Sequence, residues 1–222
     1  MTNIKQEQAR APSNAAGVSW RKVNAGLLGL AGGAAIAGTV FAFSGVYNVG
    51  ATDGHSAAVE SLLRTTMVHS VRKHASSIPV PERLNLRDRV YAAKFFGHYN
   101  AACVTCHGAP GVRPDPWVVL YPAAPRLTDQ AVVERWKDQE LFWIIKNGVK
   151  DTGMIALGPT HKDADIWGVT ALVRQLPAIT PDEYQAMRRR YEESQRAASA
   201  ATSGASTGNV HERGMQGAGH EH

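Results

Sequence analysis

The sequence predicts an all-α protein in which one transmembrane helix precedes a small helical domain. Three observations favour this fold class. Residues 23–52 contain no charged side chain. Several later segments repeat apolar residues at helical spacing, and none alternates apolar with polar residues as a half-buried strand would. Long loops rich in glycine and proline connect these segments.

The charge-free stretch is long enough to cross a bilayer, which needs about 20 apolar residues. We place a transmembrane anchor at residues 25–47. Segment 1–24 carries four basic side chains and one acidic side chain, and basic segments stay on the cytoplasmic side. We therefore expect a cytoplasmic basic tail and an exported remainder. The alternative is a cleaved signal peptide with "VFA" at 40–42 as its cleavage site.

The basic tail also explains much of the formal net charge of +5. Its contribution is +3, so the rest of the chain carries an excess of only +2. Such a balance does not indicate a nucleic-acid partner.

Residues 48–85 predict a juxtamembrane helix followed by a short proline-containing linker, "IPVPER". We expect this helix to pack on the following domain or at the membrane surface. Its apolar residues recur at helical spacing; they are Val59, Leu62, Leu63, Met67 and Val71.

Residues 86–178 predict the main domain, with helices over 86–102, over 138–149 and over a segment that Pro177 ends. Residues 179–198 predict a C-terminal helix that opens with a capping box of Thr180 and Glu183. The loops of about 20 residues between helices are unusual in a compact domain. We interpret them as wrapping a large, rigid apolar group.

The tail, residues 199–222, is predicted to be disordered because it cannot bury a core. It contains three histidines and Met215, and we keep copper binding by these side chains as a separate hypothesis.

The chain contains only two cysteines, Cys103 and Cys106, and His107 follows the second directly. A structural zinc site would need a second pair of ligands. A thioredoxin-like pair would need an α/β sheet, and a disulfide across two residues would close too small a loop to stabilise much. The remaining interpretation is C-x-x-C-H, the attachment site of one c-type haem, with His107 as the proximal iron ligand.

A haem bound in this way needs a sixth ligand or an open face. Met154 is our candidate, because it lies in the loop "DTGMIALG" between two helices, 47 residues after His107. His161 is the rival ligand. The other methionines have simpler roles, since Met67 fits an apolar stripe and Met187 lies in a charged helix.

The segments "YNAACVTCHGAPG", "YPAAPRLT" and "LFWIIKNGVKDTGMIALGPTHKDADIWGVTALVRQLP" resemble class I cytochrome c in a membrane-anchored bacterial form with one haem. The resemblance implies a small helical fold around one covalent haem c, in which two helices cross with aromatic residues at the crossing. It matches Tyr99 and Trp167 to those aromatics and Met154 to the distal ligand. Further haem-packing residues that we derive from it are Tyr99, Pro122, Pro125, Leu127 and Trp143.

Other side chains are candidates for contacts with the haem propionates. Trp143 and Tyr121 could donate hydrogen bonds, and Arg113 and Arg126 could form ion pairs.

The sequence departs from the family pattern at two positions. Phe95 stands where the family usually has glycine, eight residues before the first cysteine, so we expect a wider or shifted helix crossing. Ile155 stands where the family often has proline after the ligand methionine, so we expect a more mobile ligand loop.

The resemblance implies an electron carrier rather than an enzyme, held at the periplasmic face of the bacterial inner membrane. Its expected partners are the membrane and redox proteins such as a dehydrogenase, a quinol-oxidising complex or a terminal oxidase. Segment 86–178 carries eleven basic and nine acidic side chains, so no large charge excess steers encounters. The alternative is a haem enzyme or a gas or redox sensor in which the distal methionine is displaced, and Ile155 favours that reading.

Overall fold

The computed structural model describes residues 20–211, with side chains through residue 201. It divides into two compact units, residues 1–50 and residues 51–222, of which the termini lie outside the described range. Residues 20–211 contain helices and no strand, apart from one isolated bridge between Ala109 and Val112. The all-α expectation is confirmed.

The nine α-helices of the described residues are named here in chain order. They are α1 (Trp20–Ser44), α2 (Ala57–Ala75), α3 (Arg89–Ala93), α4 (Phe96–Ala102), α5 (Val104–His107), α6 (Gln130–Glu134), α7 (Asp138–Asn147), α8 (Asp163–Gln175) and α9 (Pro181–His211), with a 3₁₀ turn at Leu176–Ala178 between the last two.

Helix α1 forms the first unit and has the length and composition of a membrane span. It begins at Trp20, five residues before the predicted anchor, and ends at Ser44, three residues before the predicted end. Gly45 follows with φ of +65°, a backbone conformation that stops a helix. A membrane anchor and a signal sequence share these properties. Residues 1–19 of the predicted cytoplasmic tail lie outside the described residues.

The helix predicted over 86–102 is divided in two. Asp88 caps α3, since its carboxylate accepts hydrogen bonds from the N–H groups of Val90 and Tyr91. The chain leaves the helical path at Phe95 and re-enters it as α4.

The large Phe95 side chain packs directly against Gly168 of α8. A Cβ atom at Gly168 would lie 2.1 Å from the Phe95 ring, so only glycine leaves room for it. The sequence lacks a glycine at position 95, but it has a glycine at position 168, on the other side of the same contact. Trp167 instead stacks on Phe142 of α7, with ring centres 4.3 Å apart.

Helix α8 is the centre of the domain, with nine of its thirteen residues buried. Arg174 near its end fixes the turn between α6 and α7 by an ion pair of 2.6 Å to Asp138 and hydrogen bonds to the carbonyls of Val133 and Trp136. Gly148 stops α7 with φ of +66°, so the helix ends two residues before the predicted end at residue 149.

Helix α2 belongs to the same unit as the main domain and packs against α7 through its C-terminal half. Val71 and Ala75 are buried there, whereas Leu62 is 67% exposed. The predicted apolar stripe is thus used only in part.

Helix α9 opens with the predicted capping box. The Thr180 N–H donates to the Glu183 carboxylate, and the Glu183 N–H donates to the Thr180 hydroxyl. The helix runs to His211, thirteen residues beyond the predicted end at residue 198, and the disorder of residues 199–222 stays a prediction. Alanine is the best helix former, and the alanine-rich run after Arg196 continues the helix. Residues 212–222 of the proposed copper-binding tail lie outside the described residues.

Candidate haem-binding site

Helix α5 and its N-cap residue Cys103 hold the two cysteines and the histidine in a single turn. The backbone N–H groups of Cys106 and His107 both donate to the Cys103 carbonyl, at 3.2 and 2.9 Å. Both thiols are free. Burial, together with the neighbouring Cys106, raises the pKa of Cys103 to about 12. A redox dithiol needs a lowered thiol pKa, so this environment does not suit one.

The imidazole of His107 is buried and has one fixed hydrogen bond. Its Nδ1 lies 2.7 Å from the Pro125 carbonyl oxygen. Because a carbonyl only accepts, Nδ1 carries the proton and Nε2 keeps a free lone pair. Burial lowers the pKa of His107, and the hydrogen bond to Pro125 opposes that shift only in part. A neutral imidazole held in one tautomer by a carbonyl is suited to bind a metal through Nε2.

The residue after His107 is also held. Gly108 has φ of +66°, and its carbonyl accepts a hydrogen bond of 2.6 Å from the Tyr99 hydroxyl. Tyr99 is completely buried, and its pKa is raised, mainly by that burial. Tyr99 is therefore a core residue whose hydrogen bond supports the turn from Cys103 to His107, which we call the attachment turn.

Met154 lies in a loop that is tied back to α7. The Thr152 hydroxyl donates to the Val149 carbonyl at 2.8 Å and accepts from the Met154 N–H at 3.1 Å. The Val149 N–H donates to the Met154 carbonyl at 3.2 Å. A Cβ atom at Gly148 would lie 2.5 Å from that carbonyl, so the close approach requires glycine.

The proline-rich loop, residues 108–128, contacts both His107 and the loop that carries Met154. It supplies the Pro125 carbonyl to His107. At Leu120 it touches the methionine loop, since a Cβ atom at Gly153 would lie 2.7 Å from the Leu120 side chain. The attachment turn, the proline-rich loop and the methionine loop therefore form a continuous set of contacts.

The other residues predicted to contact the haem differ from one another in exposure and in their neighbours. Pro122 and Pro125 are exposed, and Leu127 packs against the core. The Trp143 ring faces the His74 ring of α2 at 5.7 Å, and Tyr121 is 46% exposed. Pro125 acts through its backbone carbonyl, and such a role cannot be predicted from the identity of its side chain.

The arginines predicted to face the propionates, Arg113 and Arg126, are exposed. His161, the rival ligand, contacts Thr160 and His98. Its Nδ1 is 2.8 Å from the Thr160 hydroxyl, and its ring meets the His98 ring edge-on at 5.3 Å.

These residues fit a c-type haem by their chemistry. Two free thiols lie in one turn, a neutral imidazole follows with Nε2 available, and a thioether stands on an anchored loop. Among the described residues, no group of three or more His, Cys, Asp or Glu side chains could hold a metal ion by itself.

Residues 92–173 match the model of the family described as cytochrome C oxidase, cbb3-type, subunit III. Neither the search of curated proteins nor the search of solved structures found a match. The family match supports a c-type cytochrome domain, and such a domain binds haem c and transfers electrons.

Proposed function

We propose that this chain, which carries a class I c-type cytochrome domain, is a membrane-tethered electron carrier with one covalent haem. The single observation that carries the proposal is the buried His107 imidazole, whose Nδ1 lies 2.7 Å from the Pro125 carbonyl. That bond presents Nε2 as a ligand and fixes the orientation of the ring.

Bound haem supplies a one-electron couple between ferric and ferrous iron. In this chain Cys103 and Cys106 would hold the haem through thioether bonds. His107 would be the proximal ligand and Met154 the distal ligand. The three connected segments would exclude water from both ligands. Water exclusion and the identity of the distal ligand both affect the reduction potential of the haem.

The environment of Met154 favours an electron carrier over an enzyme or a sensor. Its loop is held by the Thr152 hydroxyl and by backbone contacts with the residues just after α7. Such anchoring opposes the displacement that an open sixth position requires. Ile155 is the feature that favours the alternative. Its side chain is 61% exposed, so the loop is restrained by the hydrogen bonds named above and not by Ile155.

The location and the partner follow from other features. Helix α1, if retained, would tether the domain to the inner membrane, and the basic residues before it and in its first turn would orient the domain toward the periplasm. The matched family is named for a subunit of an oxidase. We therefore propose that the chain passes electrons to or within an oxidase complex.

Mass spectrometry of the full chain tests haem attachment. We expect the mass of the polypeptide plus one haem, and haem that stays with the protein in acid–acetone. Haem recovered in the organic layer would refute covalent attachment. Cys103→Ala should greatly reduce the amount of holoprotein.

Optical spectroscopy tests the distal ligand. Ferric haem bound by a thioether has a weak charge-transfer band near the red end of the spectrum. We expect this band in the wild type and its loss in Met154→Ala, together with a lower potential and new binding of carbon monoxide. His161→Ala is the matched control and should keep the band. Ready binding of carbon monoxide by the wild type would favour the enzyme or sensor instead.

A reporter fused after residue 60 tests the topology, because it should be active only on the exported side. A mature N-terminus near Phe43 would replace the anchor with a cleaved signal peptide.

A further inference from the structure

The first three turns of α9 run along the haem-attachment segment. At one end, a Cβ atom at Gly111 would lie 2.9 Å from the Cβ of Pro181. At the other end, a Cβ atom at Gly97 would lie 2.6 Å from the Tyr191 ring. Gly111 follows the attachment turn and Gly97 lies in the first turn of α4, so α9 runs antiparallel to this segment from one end to the other.

Tyr184 occupies the middle of this contact. It is completely buried, and its ring centre lies 5.1 Å from that of Phe96. Tyr184, Phe96, Tyr99 and Cys103 all belong to the same buried core cluster. Phe96, Tyr99 and Cys103 are separated by three and four residues, so they share one face of the helix. Tyr184 lies over that face.

The contact depends on the Tyr184 ring rather than on its hydroxyl. The hydroxyl is buried and makes no hydrogen bond of normal geometry among the described residues. Burial raises the pKa of Tyr184, and the nearby Arg188 side chain opposes that shift only in part. The ring packs on Phe96, and the Arg188 guanidinium lies 5.8 Å from the ring centre. An apolar ring of the same shape should therefore serve equally well.

We infer that Tyr184 is a positioning residue for the bound haem, acting through Tyr99 and Cys103. Its ring keeps water from the face that carries Cys103. It also covers the face of α4 that carries Tyr99, whose hydroxyl holds the Gly108 carbonyl beside His107. This role rests on the proposed haem attachment. It belongs to α9, which begins after residue 173, where the match to the family ends.

A dry attachment face has a consequence for the haem that a purely structural contact would lack. Burial of a haem raises its reduction potential, because a low dielectric disfavours the more highly charged ferric form. Water admitted beside Cys103 should therefore lower the potential.

The test compares Tyr184→Ala with Tyr191→Ala in the detergent-solubilised full-length holoprotein. Both tyrosines are on α9 and both rings contact Phe96, at 5.1 and 5.7 Å. We expect both variants to lower the thermal unfolding midpoint, and only Tyr184→Ala to lower the potential in a redox titration. Tyr184→Phe keeps the ring and should restore the wild-type potential.

Equal potentials for Tyr184→Ala and Tyr191→Ala would overturn the inference and leave α9 a structural role. If Tyr184→Ala yields too little holoprotein, Tyr184→Val is the milder variant; a smaller fall in potential is expected, and an unchanged potential would also overturn the inference. A wild type without covalent haem would refute the proposed function instead, and mass spectrometry distinguishes that case.

Discussion

The turn that carries Cys103 to His107 and the loop that carries Met154 are held by contacts of different range. The attachment turn depends on residues far away in the chain, such as Pro125 at His107 and α9 against Phe96 of α4. The methionine loop depends mainly on its neighbours, Thr152 and the end of α7. One side of the site is therefore coupled to global folding, whereas the other side can be altered locally.

The largest effect is expected on the attachment side, at Tyr99. Tyr99→Ala should lower the free energy of unfolding by about 3–5 kcal/mol, because it empties a completely buried aromatic site. Denaturant unfolding measures this loss. Tyr99→Phe removes only the donor to the Gly108 carbonyl and should cost about 1–3 kcal/mol. Equal losses for the two variants would show that the hydrogen bond, not the packing, is the main contribution.

Gly148→Ala should strain the methionine loop by about 1–3 kcal/mol, because φ is +66° and the Met154 carbonyl is too close for a Cβ atom. The red charge-transfer band should weaken while covalent haem is retained. Asp151→Gly is the control: Asp151 is exposed with φ of +57°, so glycine should change stability by less than about 0.5 kcal/mol. Loss of covalent haem in Gly148→Ala would contradict the local character of this side.

Thr152→Val should have a smaller effect in the same loop. It removes the acceptor of the Met154 N–H and the donor to the Val149 carbonyl, at a cost of about 1 kcal/mol. The same band reports the change, and global denaturant unfolding should move little. A large shift in global unfolding would mean that the loop is coupled to the core after all.

The smallest effect is expected at Glu183, which belongs to the capping box at the start of α9. The pKa of Glu183 is lowered, first by the hydrogen bond from the Thr180 N–H and also by Arg89. Its stabilising contribution is therefore present above the unfolded-state pKa and is lost as pH falls through the lower folded-state pKa. Wild type and Glu183→Gln should differ in thermal midpoint at neutral pH and converge in acid. Glu193→Gln, on an exposed position of the same helix, should match the wild type throughout.

Features determined by a few neighbouring residues were predictable from the sequence. The stop of α7 at Gly148, the capping box of Thr180 and Glu183 and the C-x-x-C-H attachment turn all depend on local chemistry. Candidate iron ligands could be chosen in the same way, since few residue types bind haem iron. Met154 as the distal ligand stays a prediction.

Features determined by distant contacts could not be predicted in this way. The Pro125 carbonyl becomes a partner of His107 only when the loop folds back over 18 residues. Tyr184 gave no signal because its importance depends on where α9 packs. The short α6, capped by Asp129, has too few apolar residues to show a period, and its turn is fixed by Arg174 of α8.

The contact between Phe95 and Gly168 has a consequence for how this sequence can diverge. A side chain at Gly168 would meet the Phe95 ring at 2.1 Å, so position 168 cannot carry a larger residue while Phe95 is present unless the helices move apart. The two positions are therefore coupled: a glycine at position 95 would leave room for a larger side chain at position 168. A comparison that scores each position independently would count such an exchange as two mismatches, although the volume filled between the helices would be similar.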